Sequence, residues 1–407
     1  MNNNIIKFPL AVEGTQKMEN TMAMASGQDM AISNEMLPRK KDDCKIIPFP
    51  KEKIPTVTYI ETCAGIGVPS MALRKVGERL GINFVGTAYS EIDKTAIKAY
   101  EFVHGPKLVN LGDVTKVDWS KFPCDMLSFT FPCQNISIAN RNAKGFEEGE
   151  DSTSSIVWSL KDVLTKMPSK PKIIFFENVS AILNKRHKKT LDKLVDYLND
   201  EGYSVSYENL DAADYGVPQH RERVYILATL GCKPAFEFPK PVPLTTKLKD
   251  ILDEEPSKDL FLKKTKDFFI KHSMETSYTM RVHNPSHCEK AYTITTKSGG
   301  RISDNFIFEK DVNNDKVIKI KPKDLKEKGI DIETIKNMPI RKLSPREVMK
   351  LTGLDDDVMD KLKELRPSQV YQLCGNSIVE PVLEEVFYEY FKVLKNEGYL
   401  DSFNDAA

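Results

Sequence analysis

The feature that most constrains the fold is an alternation of short apolar runs with helical stretches that begins at Val57. Strands and helices in alternation predict an α/β fold with a doubly wound, mostly parallel sheet. Enzymes of this class bind ligands at the carboxyl edge of the sheet. The predicted strands are Val57–Glu61, Phe84–Ala88, Met126–Phe129, Ile173–Phe176 and Val224–Ala228, and the predicted helices are Pro69–Leu80, Lys94–Phe102, Ser154–Thr165, Lys188–Asn199 and Val379–Lys395.

The alternation stops near Phe236 and does not return before about Ile340, which predicts a second, smaller, irregular or β-rich domain. Only short strand-like pieces occur in between, at Tyr292–Thr295 and Phe306–Phe308. A capping box, Ser344-Pro-Arg-Glu347, then starts a new helix. The predicted boundaries are 1–53 for a disordered N-terminal tail, 54–235 with 341–395 for the catalytic and cofactor-binding domain, 236–340 for the smaller domain and 396–407 for a C-terminal tail.

Cysteine usage and hydropathy exclude several classes of protein. The seven cysteines are odd in number, scattered and without a C-x-x-C pair. This pattern argues against a disulfide scaffold or a structural metal site and predicts a reducing, cytoplasmic setting. No apolar run approaches the roughly 18 residues of a membrane span. The N-terminus lacks the charged and apolar regions of a secretory signal.

The formal net charge is zero, but the charge is unevenly distributed along the chain. Residues 233–350 carry 25 Lys and Arg against 18 Asp and Glu, so this stretch is basic and the remainder is acidic. Such a separation is typical of a protein with a surface for a polyanion. A solvated, lysine-rich surface explains the same charges equally well, so charge alone does not choose between them.

The run Thr130-Phe-Pro-Cys-Gln134 follows the apolar stretch Met126–Phe129 and is the first candidate for chemistry. Pro132 fixes its own φ and favours an extended conformation at Phe131, so Cys133 lies on a stiff loop at the predicted end of a strand. A lone cysteine is more typical of a buried structural thiol. The argument for a reactive thiol therefore depends on the motifs that surround it.

A glycine-containing turn at Ala64-Gly-Ile-Gly67 follows the first predicted strand. Such glycines allow a tight turn and a close approach of the backbone to a ligand at a helix N-terminus. Glu91 comes after the next predicted strand, where an acidic group suits ribose hydroxyls. Because no phosphate-binding lysine follows, the pattern favours an adenosyl ligand without phosphates. Asp113 suits an adenine amino group, or is an ordinary turn residue.

Three further motifs follow in the chain. Glu177 comes directly after the apolar run Ile173–Phe176 and is either a loop residue or an active-site acid. Arg221 and Arg223 stand two residues apart before an apolar strand, so they share one face and could hold a phosphate or orient a carboxylate. The run Gln372-Leu-Cys-Gly-Asn-Ser377 predicts a turn that returns backbone groups to a ligand.

Together these motifs resemble those of the DNA (cytosine-5) methyltransferase family. The resemblance covers roughly residues 57–230 and 340–395, in the family's order: Ala-Gly-Ile-Gly, Pro-Cys-Gln, Glu-Asn-Val, Gln-x-Arg-x-Arg, a variable region and Gly-Asn-Ser. It implies a Rossmann-like fold, S-adenosylmethionine as cofactor without a metal, a target-recognition domain in the variable region, and site-specific methylation of cytosine in duplex DNA. Cys63 departs from the pattern, since the family usually has Phe there, which would stack on the adenine.

The resemblance also implies roles for individual residues. Cys133 would attack carbon 6 of a flipped-out cytosine, and Glu177 would assist at ring nitrogen 3. Arg221 and Arg223 would support the active site. The implied cofactor contacts are Ala64, Gly65, Ile66, Gly67, Glu91, Ile92, Asp113, Pro132, Asn376 and Ser377, and the expected DNA contacts are Gln134, Gly299, Gly300 and Arg301.

Other functions fit parts of the sequence. A tRNA cytosine-5 methyltransferase shares the fold, but its relatives usually carry a Cys-Phe-Thr signature that this sequence lacks. A catalytically silent DNA-binding relative would not need Cys133 and Glu177, and a nucleotide-cofactor dehydrogenase leaves Pro-Cys-Gln unexplained. The expected protein is a nucleoid-associated monomer of a prokaryote or phage. It would work either beside a separately encoded restriction endonuclease or alone.

Overall fold

The computed structural model describes residues 54–138, 140 and 142–406, so the tail predicted for residues 1–53 lies outside the described residues. The strands are β1 Thr56–Thr62, β2 Asn83–Ser90, β3 Val109–Asn110, β4 Met126–Phe129, β5 Ile173–Val179, β6 Tyr203–Asp211, β7 Gln219–His220, β8 Glu222–Leu230, β9 Arg281–His283, β10 Ala291–Tyr292, β11 Asn305–Phe308, β12 Val317–Lys319 and β13 Ile340–Lys342.

Helices cover both faces of the large sheet, and others pack against the smaller sheet. The helices are α1 Val68–Leu80, α2 Lys94–His104, α3 Leu160–Lys166, α4 Lys185–Asp200, α5 Leu248–Ile251, α6 Lys264–Glu275, α7 Pro322–Glu327, α8 Ile332–Asn337, α9 Pro345–Leu351, α10 Asp356–Leu362, α11 Pro367–Asn376 and α12 Glu380–Asn396. None of the described helices is long and apolar enough to cross a membrane.

The large sheet has the order β3-β2-β1-β4-β5-β8-β6 within the described residues. Neighbouring strands from β3 to β5 are parallel, whereas β8 runs antiparallel to both β5 and β6. The predicted α/β fold with a mostly parallel sheet is confirmed. Because β8 is reversed, its first residues lie at the edge where β4 and β5 end, with Arg223 opposite Val179 and Tyr225 opposite Glu177.

Strand β5 shows why the central strands read as continuous apolar runs. Ile173 and Phe175 pack into one core, which contains α1 and α12, and Ile174 and Phe176 pack into a second core with α3 and α4. All four side chains are fully buried. Side chains alternate between the two faces of a strand, so a sheet covered on both faces needs apolar residues at every position.

The smaller sheet has the order β12-β9-β11-β13 and a core of its own, which includes Phe306, Phe308 and Ile318. It lies within the stretch predicted as a separate domain, residues 236–340, apart from the end of β13. Other residues of that stretch, such as Leu248 and Ile294, instead pack into the core of the large sheet. The stretch 236–340 is thus partly a small folded unit and partly an extension of the body built on the large sheet.

Several predicted elements differ from the structure. The strand predicted at Tyr292–Thr295 covers only Ala291–Tyr292. After Tyr292 the chain leaves its pairing with β7 and packs on α11. Gly375 and Asn376 are not in a turn but form the last residues of α11. The helix predicted at Ser154–Thr165 is a 3-10 helix over Thr153–Ser159 before α3 begins. In the predicted C-terminal tail, Leu400 and Phe403 are buried in the large core.

Candidate active site

The loop that carries Cys133 is fixed by hydrogen bonds to its backbone on both sides of Pro132. The Pro132 carbonyl accepts a bond from Ser154 Oγ at 2.5 Å, and the Phe131 carbonyl accepts one from Asn178 Nδ2 at 3.1 Å. Asn178 is fully buried in β5, next to Glu177. The neighbouring strand therefore holds the loop in place, and the Cys133 thiol is presented on a rigid support. Sequence reasoning missed both anchors, although Asn178 stands in the Glu-Asn-Val motif.

Glu177 and Arg223 face one another at the carboxyl edge of the sheet. The Arg223 Nε lies 3.2 Å from Glu177 Oε1. The contact lacks hydrogen-bond alignment, so Glu177 Oε1 is buried without a hydrogen-bond partner among the described residues. A buried polar atom without a partner costs free energy unless a ligand satisfies it. This oxygen is therefore a candidate contact for a substrate.

The charges of the site act on one another. Burial raises the pKa of the Cys133 thiol, and the guanidiniums of Arg223 and Arg221 oppose that shift. Burial also raises the pKa of the Glu177 carboxyl, and the same two arginines oppose it. The structure thus brings Cys133, Glu177, Arg221 and Arg223 into one electrostatic unit. In this unit the Glu177 carboxyl holds its proton more readily than usual, and the two arginines partly offset the rise in the pKa of the Cys133 thiol.

Arg221 is bound differently from Arg223, although the sequence predicted that both share one face. Its side chain is 2% exposed and donates three hydrogen bonds to backbone carbonyls. The acceptors are Ile294 at 3.1 Å, Gly375 at 3.0 Å and Ser377 at 2.6 Å. Burial lowers the pKa of Arg221, but an arginine retains its charge at neutral pH. Its guanidinium joins three segments and is not held out toward a phosphate.

The glycine turn between β1 and α1 is held by Glu91. Its Oε2 accepts a hydrogen bond from Gly65 N at 2.9 Å, and its Oε1 accepts bonds from the backbone of Ile92 and Asp93. Gly67 has φ 76° and lies against His104, whose Nε2 would be 2.2 Å from a Cβ at this position. The turn therefore requires glycine here for both its backbone conformation and its packing.

The remaining residues expected at the cofactor differ widely in their exposure to solvent. Ala64 and Ile66 are buried, whereas Ile92 is 72% exposed. Asp113 accepts hydrogen bonds from the backbone and hydroxyl of Thr115, which agrees with its interpretation as a turn residue. Pro132 anchors the Cys133 loop, Ser377 is buried and donates to the Ile378 carbonyl, and Asn376 is exposed at the end of α11.

Glu61 is a candidate site residue that sequence reasoning missed. It lies near the buried end of β1 and is 1% exposed, and neither carboxylate oxygen has a well-aligned hydrogen bond among the described residues, although Ser70 and Tyr100 act on it at close range. Burial raises its pKa to about 7. An acidic residue at the end of an apolar strand and directly before a glycine turn is the signal that could have found it. Cys63, which follows closely, is a non-glycine residue with φ 51°.

The residues around the turn fit an adenosyl cofactor with an aminoacyl tail. A Cβ built on Gly65 meets no atom within 4 Å, so there is open space next to this backbone. Glu91 provides a carboxylate suited to ribose hydroxyls, and Glu61 provides a buried acid beside Ser70 and Tyr100. This combination agrees with a ligand that offers both hydroxyl and cationic groups.

The residues expected at DNA lie on two separate parts of the chain. Gln134 is exposed directly after Cys133. Gly299 packs against the side chain of Lys342, and Gly300 and Arg301 are exposed. Arg301 N donates to Asp304 Oδ2 at 2.7 Å, and Thr295 Oγ1 donates to Asp304 Oδ1 at 3.1 Å. The turn that carries Arg301 is therefore tied to the segment that Arg221 binds.

Comparison with known proteins identifies the family to which this arrangement belongs. The model of the C-5 cytosine-specific DNA methylase family matches residues 57–392. The type II methyltransferase M2.ScrFI of Lactococcus lactis subsp. cremoris is 31% identical over 286 residues, which are 70% of this chain and 71% of that protein. The type II methyltransferase M.HhaI of Haemophilus parahaemolyticus is 29% identical over 374 residues, 87% of this chain and 100% of that protein.

Solved structures agree with this fold. The Entamoeba histolytica methyltransferase EhMeth has a TM-score of 0.65 and 19% sequence identity, and the match covers 83% of this chain and 99% of that one. At this identity the similarity supports the fold alone.

Proposed function

The chain belongs to the C-5 cytosine-specific DNA methylase family and is a DNA (cytosine-5) methyltransferase, as its motifs indicated, and we propose that it methylates cytosine at a specific site in duplex DNA through a covalent bond to Cys133. The observation that carries the proposal is the meeting of Cys133, Glu177 and Arg223 at one edge of the sheet. A thiol, a protonatable carboxyl and a guanidinium are the groups that this reaction needs.

Cys133 is the proposed nucleophile. Its thiolate adds to carbon 6 of cytosine, and the electrons of the carbon 5–carbon 6 double bond become available at carbon 5. Glu177 donates its proton toward ring nitrogen 3 and so stabilises the charge that develops in the ring. The raised pKa of Glu177 supports this role, because the carboxyl must be protonated to donate. Once carbon 5 carries the methyl group, its remaining proton passes to a base, the Cys133 thiolate departs, and the proton at nitrogen 3 returns to Glu177, which together restore the aromatic ring.

Arg223 supports both groups. Its guanidinium opposes the rise in the pKa of the Cys133 thiol and lies 3.2 Å from Glu177. It therefore reduces the cost of forming the thiolate and stabilises the Glu177 carboxylate once its proton has been donated. Pro132, Ser154 and Asn178 hold the thiol at a constant position, which limits the entropy lost when the base arrives.

The proposed cofactor is S-adenosylmethionine, which the family implies and which supplies the methyl group when it is bound. Glu91 would receive the ribose hydroxyls, and the open space beside Gly65 would admit the ligand next to the backbone. Ala64, Ile66, Gly67, Ile92, Asp113, Pro132, Asn376 and Ser377 complete the proposed contacts. Cys63 takes the place of a residue that could stack on adenine, so the affinity for the cofactor is expected to depend more on Glu91.

Base flipping is part of the proposal because a thiol on a sheet edge cannot reach carbon 6 of a stacked cytosine. The stretch 236–340 would recognise the DNA sequence, with Gln134 and the Gly299–Arg301 turn as contacts. Its basic excess suits phosphates.

A mechanism-based adduct tests the proposed function. DNA that carries 5-fluorocytosine at the target lacks the proton that must leave carbon 5, so the enzyme should remain bound to it through Cys133. We expect a denaturant-stable protein–DNA adduct with the wild type and none with Cys133→Ser. Parallel incubations with DNA and tRNA identify the substrate, because labelled methyl groups should enter DNA alone.

Cys232→Ser is the matched control for this experiment. Cys232 is a partly exposed thiol that follows β8 and therefore lies at the opposite edge of the sheet from Cys133. This variant should form the adduct as the wild type does. An adduct that persists in Cys133→Ser would remove the nucleophile from the proposal, and labelling of tRNA instead of DNA would replace its substrate.

A further inference from the structure

The side chains of Gln219 and Arg221 connect the recognition stretch to the catalytic body. Gln219 Oε1 accepts a hydrogen bond from Ile294 N at 2.8 Å, and its Nε2 donates to the Leu351 carbonyl at 2.6 Å. Arg221 donates to the carbonyl of the same Ile294. Both polar groups of the Ile294 backbone are thus held by the Gln-x-Arg motif. We call these two side chains and the backbone of Ile294 the clasp.

The clasp also reaches the cofactor side of the molecule. Arg221 NH2 donates to Gly375 and Ser377, which stand at the end of α11. Gly375 itself touches residues 293–296, which we call the recognition segment, because a Cβ built on it would lie 2.3 Å from Thr296 N and 2.5 Å from the Thr295 carbonyl carbon. Two backbones can approach so closely only at a glycine. The recognition segment is therefore pressed against α11 and bonded to it through one guanidinium.

The segment leads directly to the proposed DNA contacts. Thr295 donates to Asp304, and Asp304 accepts from Arg301 N. Asp304 is 4% exposed, so this connection is buried. A displacement of Ile294 would move the Gly299–Arg301 turn relative to Cys133.

We propose that Arg221 is a positioning residue, which fixes the recognition segment 293–296 to the end of α11 and so sets the register between the bound DNA and the active site. This inference rests on the proposed function. It gives Arg221 a role in placing DNA in addition to its electrostatic effect on Cys133 and Glu177, and Arg223 is the arginine that contacts Glu177. The hydrogen bonds of the two side chains differ accordingly, since Arg221 donates to three carbonyls of distant segments, whereas Arg223 lies against Glu177.

The variant Arg221→Lys separates the two roles. Lysine keeps a positive charge near Cys133 and Glu177, but a single ammonium cannot reproduce the planar fork that spans Ile294 and α11. We expect KM for DNA to rise by roughly tenfold or more, because a loose segment misplaces the DNA. The single-turnover rate at saturating DNA should fall by less than KM rises, because lysine retains the positive charge that acts on Cys133 and Glu177. Arg223→Lys should instead lower the single-turnover rate.

A second variant tests the same contact without changing any charge. In Gly375→Ala the new methyl group would collide with the backbone at Thr295 and Thr296, so it pushes the segment away from α11. We expect the same rise in KM with a preserved single-turnover rate. Ser368→Ala, at an exposed position of the same helix, and Arg79→Lys, which pairs with Glu384 and Glu385 on α12, are the matched controls.

The outcomes are distinct. Melting temperatures are measured first, and the assays are run well below them, so that Gly375→Ala carries the test if Arg221→Lys does not fold. If KM for DNA is unchanged in Arg221→Lys or Gly375→Ala, or rises by no more than the single-turnover rate falls, the positioning role is overturned. A wild type that methylates no DNA overturns the proposed function instead.

Discussion

At the scale of single residues, the candidate site contains two carboxyl groups whose pKa values are raised by burial. Glu177 lies at the edge of the sheet and Glu61 lies beneath the glycine turn. Each is buried with at least one oxygen that has no well-aligned hydrogen bond among the described residues. A protein that leaves such groups unsatisfied gives up stability, so a ligand that completes them is the natural explanation.

Glu177→Gln should lower turnover by about 10²- to 10⁴-fold. The amide retains the shape of the carboxyl but cannot donate and recover a proton at ring nitrogen 3. The measurement is the single-turnover rate with labelled cofactor and saturating DNA. Glu222→Gln is the control, because Glu222 is an exposed residue of β8 beside the site. Turnover close to that of the wild type in Glu177→Gln would leave this residue a structural role only.

Glu61→Gln should change the pH dependence of stability. Burial raises the pKa of Glu61 from 4.5 to about 7, so between these values the folded protein holds a proton that the unfolded chain releases. Stability therefore falls as the pH rises through this window. The variant should match the wild type near about pH 4.5 and exceed it near about pH 8, by up to about 3 kcal/mol. Urea unfolding at both pH values measures this, and an equal difference at the two would contradict it.

At the scale of elements, helix α1 provides an internal comparison between its two ends. Gly67 and Gly81 flank the helix, and both have left-handed backbone conformations, with φ 76° and 65°. A Cβ on Gly67 would lie 2.2 Å from His104, whereas a Cβ on Gly81 would have its nearest neighbour at 3.8 Å. Both alanine variants bear the same backbone cost of roughly 1–2 kcal/mol, but only one of them distorts the cofactor turn.

Gly67→Ala should therefore lower cofactor affinity by about tenfold or more, whereas Gly81→Ala should not change it. The measurements are melting temperature and the affinity for S-adenosylhomocysteine by calorimetry. The expected result is a larger loss of stability in Gly67→Ala, because of the collision with His104, and a loss of affinity that Gly81→Ala does not show. Equal affinities in the two variants would show that the turn does not contact the cofactor.

The elements also show how far the sequence could predict the structure. The apolar run of β5 and the alternation around it predicted the sheet, because both faces of a buried strand must be apolar. The reversal of β8 could not be predicted, since the direction of a strand depends on its connection and not on its own residues. The missed strand β6 is at the sheet edge and is half-buried, so its apolar residues are fewer.

The site, like the fold, could be predicted only in part from the sequence. Cys133, Glu177 and Arg223 stand in short motifs at strand ends, and chemistry selects those residue types. The anchors Asn178 and Ser154 were not found, because an amide or hydroxyl that bonds a distant backbone leaves no local pattern. The turn predicted at Gly375 failed for a related reason. This glycine serves a close approach between segments far apart in sequence, which resembles a turn signal when read locally.

At the scale of the whole molecule, a basic recognition stretch joined to a catalytic body predicts salt-sensitive binding. Affinity for DNA should fall steeply as salt increases, because each phosphate contact releases counterions. Arg301→Ala should weaken binding and reduce the slope of log affinity against log salt by about one. Lys121→Ala is the control, since Lys121 is an exposed residue paired with Asp118 outside the basic stretch. An unchanged slope in Arg301→Ala would remove this residue from the phosphate contacts.

If residues 236–340 recognise the DNA sequence and the rest of the chain performs the chemistry, sequence specificity should be transferable between relatives, provided that the clasp is kept. Replacing residues 262–287 and 298–340 with those of a relative that has another target exchanges most of the small sheet and its core, while residues 288–297 retain their packing on Gly375 and Arg221. Such a chimera should methylate the relative's site at a single-turnover rate near that of the wild type, because the contacts around Cys133 are unchanged. Bisulfite sequencing of DNA methylated by the purified chimera reads the site directly. An active chimera that still methylates the original site would place specificity in the catalytic body.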